Sequence, residues 1–124
     1  MPVIRQTEGV EYQIHGATFT SYACTKTGST ELSAWNVRVP AGQPGVEHRI
    51  SRDEIFLVRA GTPQITVDGV AAELAPGDVA IAPAGCLLHL CNPGSQDAEL
   101  WVTTGTGLSA KLPDGSELTP PWAQ

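Results

Sequence analysis

Glycine and proline cut this chain into short pieces, and that feature limits the folds open to it more than any other. The 124 residues include 13 glycines and 10 prolines, spread along the whole sequence. The segments between them are rich in β-branched and aromatic residues, and several alternate apolar with polar positions, as strands do. No window carries an apolar helical stripe with a cap and a stop. The sequence therefore predicts an all-β fold built from many short strands.

The spacing of these segments narrows the fold class further. Strands at intervals of about ten residues are typical of a β-sandwich or barrel. Two hairpin turns are specified locally, because Asp68-Gly69 and Asp114-Gly115 are dipeptides that favour tight turns. We interpret residues 1–124 as a single domain. The predicted strands cover residues 11–15, 17–23, 31–39, 54–60, 64–68, 70–74, 78–82, 87–91 and 98–104, with 109–112 and 116–119 near the C-terminal end.

Charge and cysteine content bear on partners and location. The net charge is −6, from 13 acidic and 7 basic residues without a basic cluster, so nucleic acid and anionic membranes are poor partners. No apolar stretch approaches the length that spans a bilayer. The first residues lack a basic head followed by an apolar run, so we expect no signal peptide and a cytoplasmic protein. Cys24, Cys86 and Cys91 are too few for a disulfide framework, and free thiols suit a reducing compartment.

A first motif with regular spacing spans residues 42–61. Gly42 is followed after five residues by His48, and Glu54 and Gly61 come six and thirteen residues after that histidine. A carboxylate that leads into a buried strand usually needs a partner, and His48 is the candidate here.

A second motif, at residues 77–92, runs from Gly77 through Pro83-Ala84-Gly85 to Asn92. Together, and with a hairpin between them, the two motifs resemble the paired motifs of the cupins. This resemblance implies a cupin-type jelly-roll barrel or sandwich. It says much less about activity, because one fold hosts many functions.

The resemblance also implies which residues would hold a metal. In metal-holding cupins, two histidines and a glutamate of the first motif and a histidine of the second bind one divalent ion. Of these four positions, His48 and Glu54 keep a donor, whereas Ile50 and Leu88 stand where the other two histidines belong. Two ligands hold an ion poorly, since catalytic sites usually use about three. Our first expectation is therefore no tightly bound cofactor.

His89 is a candidate third metal ligand, because it lies one residue beyond the expected histidine position. In the ungapped register it points away from the barrel, since strand side chains alternate between faces. A β-bulge near Cys86 and Leu87 would turn it inward. His48, Glu54 and His89 would then form a set that suits Zn, Fe, Mn or Ni.

Six apolar residues are predicted to line the pocket. Alternation from Glu54 selects Phe56 and Val58, while the face of the strand at residues 35–39 stays open between an apolar side and one carrying Arg38. We read His15 as an edge residue without a role. The predicted lining residues are Trp35, Ile50, Phe56, Val58, Cys86 and Leu88.

The preferred function is a small-molecule-binding cupin, either an isomerase or a cyclase that works on an enolisable carbonyl compound. Glu54 would orient the imidazole ring of His48, which would move the proton. One alternative is a metal-dependent cupin enzyme, such as a dioxygenase, lyase or isomerase, with a His/Glu/His site. Another is a non-catalytic dimeric cupin module. A homodimer through the N-terminal strands and outer sheet is expected, with Ile55 and Leu57 on the apolar outer face.

Overall fold

Two six-stranded antiparallel sheets pack face to face in a computed structural model that describes all residues from Met1 to Gln124. The first sheet has the order β1-β2-β3-β10-β5-β8, and the second has the order β12-β11-β4-β9-β6-β7. The predicted all-β jelly-roll architecture is confirmed. The strands are β1 (Val10–Ile14), β2 (Ala17–Ala23), β3 (Leu32–Val39), β4 (His48–Ile50), β5 (Glu54–Ala60), β6 (Gln64–Val67), β7 (Val70–Glu73), β8 (Val79–Ala82), β9 (Leu87–Cys91), β10 (Ala98–Gly105), β11 (Ala110–Lys111) and β12 (Glu117–Leu118).

Tight turns with positive φ connect neighbouring strands. Asp68 (φ 48°) and Gly69 (φ 82°) join β6 to β7, as the sequence predicts. His15 (φ 50°) and Gly16 (φ 78°) join β1 to β2 in the same way. Two successive residues with positive φ match the twist of the flanking strands, which is why Gly follows in both turns. The His15-Gly16 turn was not predicted, because His is an uncommon first residue in a turn of this type.

Strand β4 is the one strand that the sequence did not indicate. It has three residues, which is too short for an alternating pattern to be recognised. Its position comes from its neighbours, because Arg49 pairs with Leu87 of β9 on one side and with Lys111 of β11 on the other. This short strand carries His48 into the second sheet.

The inner face of the first sheet forms much of the core. On β3, Trp35, Val37 and Val39 are each at most 2% exposed, whereas Arg38 is exposed on the outer side. The sequence did not decide which face of this strand points inward, and the structure shows that it is the apolar face. The register brings Val102 of β10 opposite Trp35, so that the inward rows of neighbouring strands pack against each other.

Two motif residues have structural roles. Gly61 has φ 77°, and a Cβ there would lie 2.7 Å from the carbonyl oxygen of Asp97, so no larger residue fits. Asn92 is fully buried, and its side-chain amide donates to the carbonyls of Val39 (3.0 Å) and Gln96 (2.8 Å). These contacts fix the turns at the ends of β5 and β9.

A short 3-10 helix, Pro121–Ala123, packs the C-terminal segment against the first sheet. Trp122 stacks on Phe19 with ring centroids 4.0 Å apart and an interplanar angle of 13°. No helix in the structure is both long and apolar enough to cross a membrane.

Candidate functional site

A cavity of about 110 Å³ lies between the two sheets. Of the 22 residues that line it, 16 are hydrophobic, and none is lysine or arginine. His48 and Glu54 are among the few polar residues in its wall. A largely apolar cavity with a few converging polar groups is the usual form of a small-molecule site.

The ring of His48 is held in one tautomer and one orientation. Its Nδ1 donates a hydrogen bond of 2.9 Å to the backbone carbonyl of Val46. Because a carbonyl oxygen can only accept, Nδ1 carries the proton, and Nε2 of the neutral ring has a free lone pair. Burial lowers the pKa of His48 below its ordinary value of 6.5, and repulsion from His15 and His89 adds to this effect. At neutral pH the imidazole is therefore an uncharged base.

Glu54 is protonated at neutral pH, where His48 is uncharged. The residue is 4% exposed at the start of β5, and burial raises the pKa of its carboxyl from 4.5 to about 8. Desolvation is the sole cause, since no cation or hydrogen-bond donor stabilises the ionised form. Glu54 at neutral pH is thus a carboxylic acid that faces an apolar cavity and can donate a hydrogen bond.

The structure corrects the predicted relation between these two groups. His48 and Glu54 reach the same cavity, but no hydrogen bond joins them, and neither charge shifts the pKa of the other. The orienting partner of His48 is the carbonyl of Val46, two residues away in the chain. Glu54 therefore stays free to meet a ligand.

His89 lies outside the cavity. In the ungapped register of β4 and β9, His48 pairs with Leu88, and paired residues of an antiparallel ladder share a face. Leu88 therefore occupies the inner position, and His89 takes the opposite one. Its Nε2 donates to the carbonyl of Pro44 at 2.7 Å. The bulge that would turn His89 inward is not present, which corrects the proposed third ligand.

The donors at this site do not fit a divalent ion. No group of three or more His, Cys, Asp or Glu side chains lies close enough together to hold one. Ile50 and Leu88 place aliphatic carbon at the two positions where the family pattern has histidine, and both are 1% exposed. A site with two separated donors lacks the ligand number that catalytic metal centres use.

The predicted lining residues divide into two groups. Trp35, Phe56 and Leu88 line the cavity. Ile50, Val58 and Cys86 do not, although each is at most 4% exposed and belongs to the core. This corrects the expectation for the second group. Alternation along a strand predicted burial correctly, but the cavity occupies only part of the barrel's length, so burial does not imply contact with it.

The cavity also contains residues that the sequence analysis did not place there, among them His15 and Trp122. His15 reaches the cavity from the β1–β2 turn, and Trp122 reaches it from the C-terminal helix. The His15-Gly16 dipeptide is the one local signal that could have shown the turn. The position of Trp122 depends on its stacking with Phe19, which is 103 positions away in the chain and leaves no local pattern.

Trp35, which lines the cavity, has an unusual polar atom. Its indole Nε1 is the one buried side-chain nitrogen or oxygen that has no hydrogen-bond partner. A buried donor without an acceptor costs about 1–3 kcal/mol. Trp35 is 2% exposed, and on β3 it lies opposite Ser21 of β2 and Val102 of β10.

Comparisons with known proteins agree with this fold. Structures with the same fold include an RmlC-like cupin from Shewanella frigidimarina, with 20% identity, a TM-score of 0.71, and coverage of 82% of this chain and 86% of that one. The polyketide cyclase RemF from Streptomyces resistomycificus has 15% identity and a TM-score of 0.75, covering 85% of this chain and 79% of that one. A salicylate 1,2-dioxygenase from Pseudoaminobacter salicylatoxidans has 20% identity and a TM-score of 0.64, covering 72% of this chain but 26% of that one.

No curated protein sequence matches this chain significantly. The family model described as "Cupin domain" matches residues 35–104, which is more than half of the chain and contains both motifs. With the jelly-roll architecture described above, this match shows that the chain belongs to the cupin family.

Proposed function

We propose that this protein catalyses proton transfer on a small enolisable carbonyl compound, leading to isomerisation or ring closure. The observation that carries the proposal is the pairing of an uncharged base, His48, with a protonated acid, Glu54, in one apolar cavity. An enzyme that forms an enolate needs a base at the α-carbon and a donor at the carbonyl oxygen.

The mechanism assigns one step to each group. Nε2 of His48 takes a proton from the α-carbon, and the protonated carboxyl of Glu54 donates a hydrogen bond to the carbonyl oxygen as negative charge develops there. His48, now an imidazolium, returns the proton to a different carbon of a conjugated enolate, which completes an isomerisation. In ring closure the enolate carbon attacks a second carbonyl, and the imidazolium gives its proton to the alkoxide that forms there. The Nδ1 hydrogen bond to Val46 keeps the ring oriented throughout and stabilises the imidazolium. One structural neighbour is a polyketide cyclase, and this likeness concerns the fold alone.

The pH profile of a simple probe reaction tests this pairing. Acetophenone in D₂O exchanges its methyl protons for deuterium on enolisation, and ¹H NMR follows the loss of the methyl signal. The rate should rise as His48 loses its proton, at a pH below 6.5, and should fall as Glu54 ionises near pH 8. A wild-type rate equal to that of buffer, or one that keeps rising through pH 9, would contradict the proposal.

We also propose that a second copy of this chain covers the outer face of the first sheet. Ile55 and Leu57 pair with Ile81 and Val79 across β5 and β8, and all four side chains are 38–64% exposed. They form a continuous apolar patch at a strand edge, which isolated chains usually protect.

Charges beside this patch fit a symmetric pairing. The adjoining polar depression on the same sheet contains Arg38 and Arg59 together with Glu11 and Glu99. A two-fold interface brings one surface against itself, so a surface that carries both signs can pair each cation with an anion of the partner.

Ile81→Glu should weaken the dimer by at least about tenfold, because it would bury an unpaired carboxylate at the interface. Sedimentation velocity over a dilution series measures this effect. Val70→Glu is the matched control, since Val70 is 75% exposed on the other sheet. A wild-type protein that stays monomeric at every concentration, or an equal effect of both variants, would rule this interface out.

A further inference from the structure

The wall of the cavity contains hydrogen-bond donors but no fixed positive charge. Its 22 residues include no lysine or arginine, and its acidic residue is Glu54. An anionic group that entered would lose its hydration without gaining a counter-charge. The arrangement therefore discriminates against carboxylates and phosphates.

The donors that do exist suit a neutral oxygen. The indole Nε1–H of Trp35 is buried without an acceptor, and the side chain lines the cavity. Trp35 and Phe56 both lie opposite Val102 of β10, and Glu54 is two residues before Phe56 on the same inward face. Trp35 and Glu54 therefore belong to strands on either side of β10, and both line the cavity.

We infer that the cavity is selective for uncharged carbonyl compounds, with the indole N–H of Trp35 as a recognition donor for a ligand oxygen and with anions excluded. This inference rests on the proposed function only in taking the cavity as the substrate site, and it names the class of substrate. The ligand body is apolar, and its acceptor oxygen compensates the donor that the folded chain leaves without a partner.

Three ligands of nearly the same shape separate these contributions. Acetophenone carries a neutral acceptor, α-methylstyrene replaces the carbonyl oxygen with a methylene group, and benzoate replaces the methyl ketone with a carboxylate. Their dissociation constants at pH 7, measured by NMR titration, should increase in the order acetophenone, α-methylstyrene, benzoate. We expect the ketone to bind roughly three- to tenfold more tightly than the hydrocarbon, and benzoate to bind at least about tenfold more weakly than the ketone.

Substitution of the donor tests the role of Trp35. Trp35→Phe keeps an aromatic ring and removes the N–H, so the ratio of ketone to hydrocarbon affinity should fall by roughly two- to tenfold. Trp101→Phe is the matched control, because Trp101 packs against Tyr22 outside this cavity and its loss should leave the ratio unchanged.

A second measurement needs no Trp35 variant, in case that variant folds poorly. The indole ¹H–¹⁵N signal of Trp35, assigned by elimination with Trp101→Phe and Trp122→Phe, should shift downfield with acetophenone and not with α-methylstyrene. Benzoate binding as tight as that of acetophenone, absence of binding by all three ligands, or an indole signal that ignores the ketone would each overturn the inference. These outcomes are distinct from a failure of the proposed function, in which acetophenone binds in the expected order but its methyl protons do not exchange faster than in buffer.

Discussion

Replacing Glu54 with glutamine is expected to remove a large pH dependence from the stability of this protein. The carboxyl titrates near 4.5 when exposed to water and near 8 in the folded chain. Between these values the folded state keeps a proton that the unfolded state has released, so the free energy of unfolding falls as pH rises. The contribution of the neutral carboxyl is fully present below pH 4.5 and is lost once the pH passes 8. The difference is on the order of 5 kcal/mol.

Urea unfolding at several pH values between 6.5 and 8.5 measures this effect. The wild-type protein should lose about 2 kcal/mol of unfolding free energy across that range. Glu54→Gln should show a much flatter profile and should be the more stable protein at pH 8.5. The titration of His48 is common to both proteins, so the difference between their profiles isolates Glu54. Glu73→Gln is the control, since Glu73 is exposed on β7.

Equal slopes for the wild-type protein and Glu54→Gln would contradict this account. That result would mean that the carboxylate is stabilised in the folded state by water or by a cation, and it would remove the acid from the proposed mechanism. A wild-type stability that rises between pH 6.5 and 8.5 would contradict it as well.

The fold could be predicted because its main determinants are local. The Asp68-Gly69 turn places two positive φ values at adjacent positions, and it joins β6 to β7 without help from distant residues. The alternation of Trp35, Val37 and Val39 marks a half-buried strand in the same local way. Strand β4 could not be found by such signals, because three residues paired on both sides depend on their neighbours rather than on a pattern of their own.

The sequence predicted which residues reach the candidate site better than it predicted the contacts that they make there. Motif spacing placed His48 and Glu54 in one cavity, and the ungapped register placed Leu88 inside and His89 outside. The partner of His48 could not be predicted, since a backbone carbonyl is available at every residue and side-chain identity does not mark it. The contribution of His15 depends on where the β1–β2 hairpin ends relative to the second sheet. The position of this hairpin is set by packing between the two sheets, and no local sequence pattern predicts that packing.

Replacing His48 with asparagine should lower the rate of acetophenone proton exchange by about 10²- to 10⁴-fold at pH 7.5, the usual contribution of a general base. Asparagine can place an amide N–H where Nδ1 of His48 donates to Val46, so the loop contact is retained while the base at Nε2 is lost. The dissociation constant of acetophenone should change little, because the base acts on the α-proton rather than on the carbonyl oxygen. A loss of rate with unchanged affinity separates catalysis from a structural role.

His89, which lies outside the cavity, provides the matched control. His89→Asn removes an imidazole that donates to Pro44 outside the cavity, and it should retain the wild-type exchange rate to within about threefold. If His89→Asn reduced the rate as much as His48→Asn, the base would not be the residue that faces the ligand. If the wild-type protein bound acetophenone but exchanged its methyl protons no faster than buffer or His48→Asn, the protein would be a binding module. In that case, the uncharged imidazole and the protonated carboxyl would serve recognition instead of proton transfer.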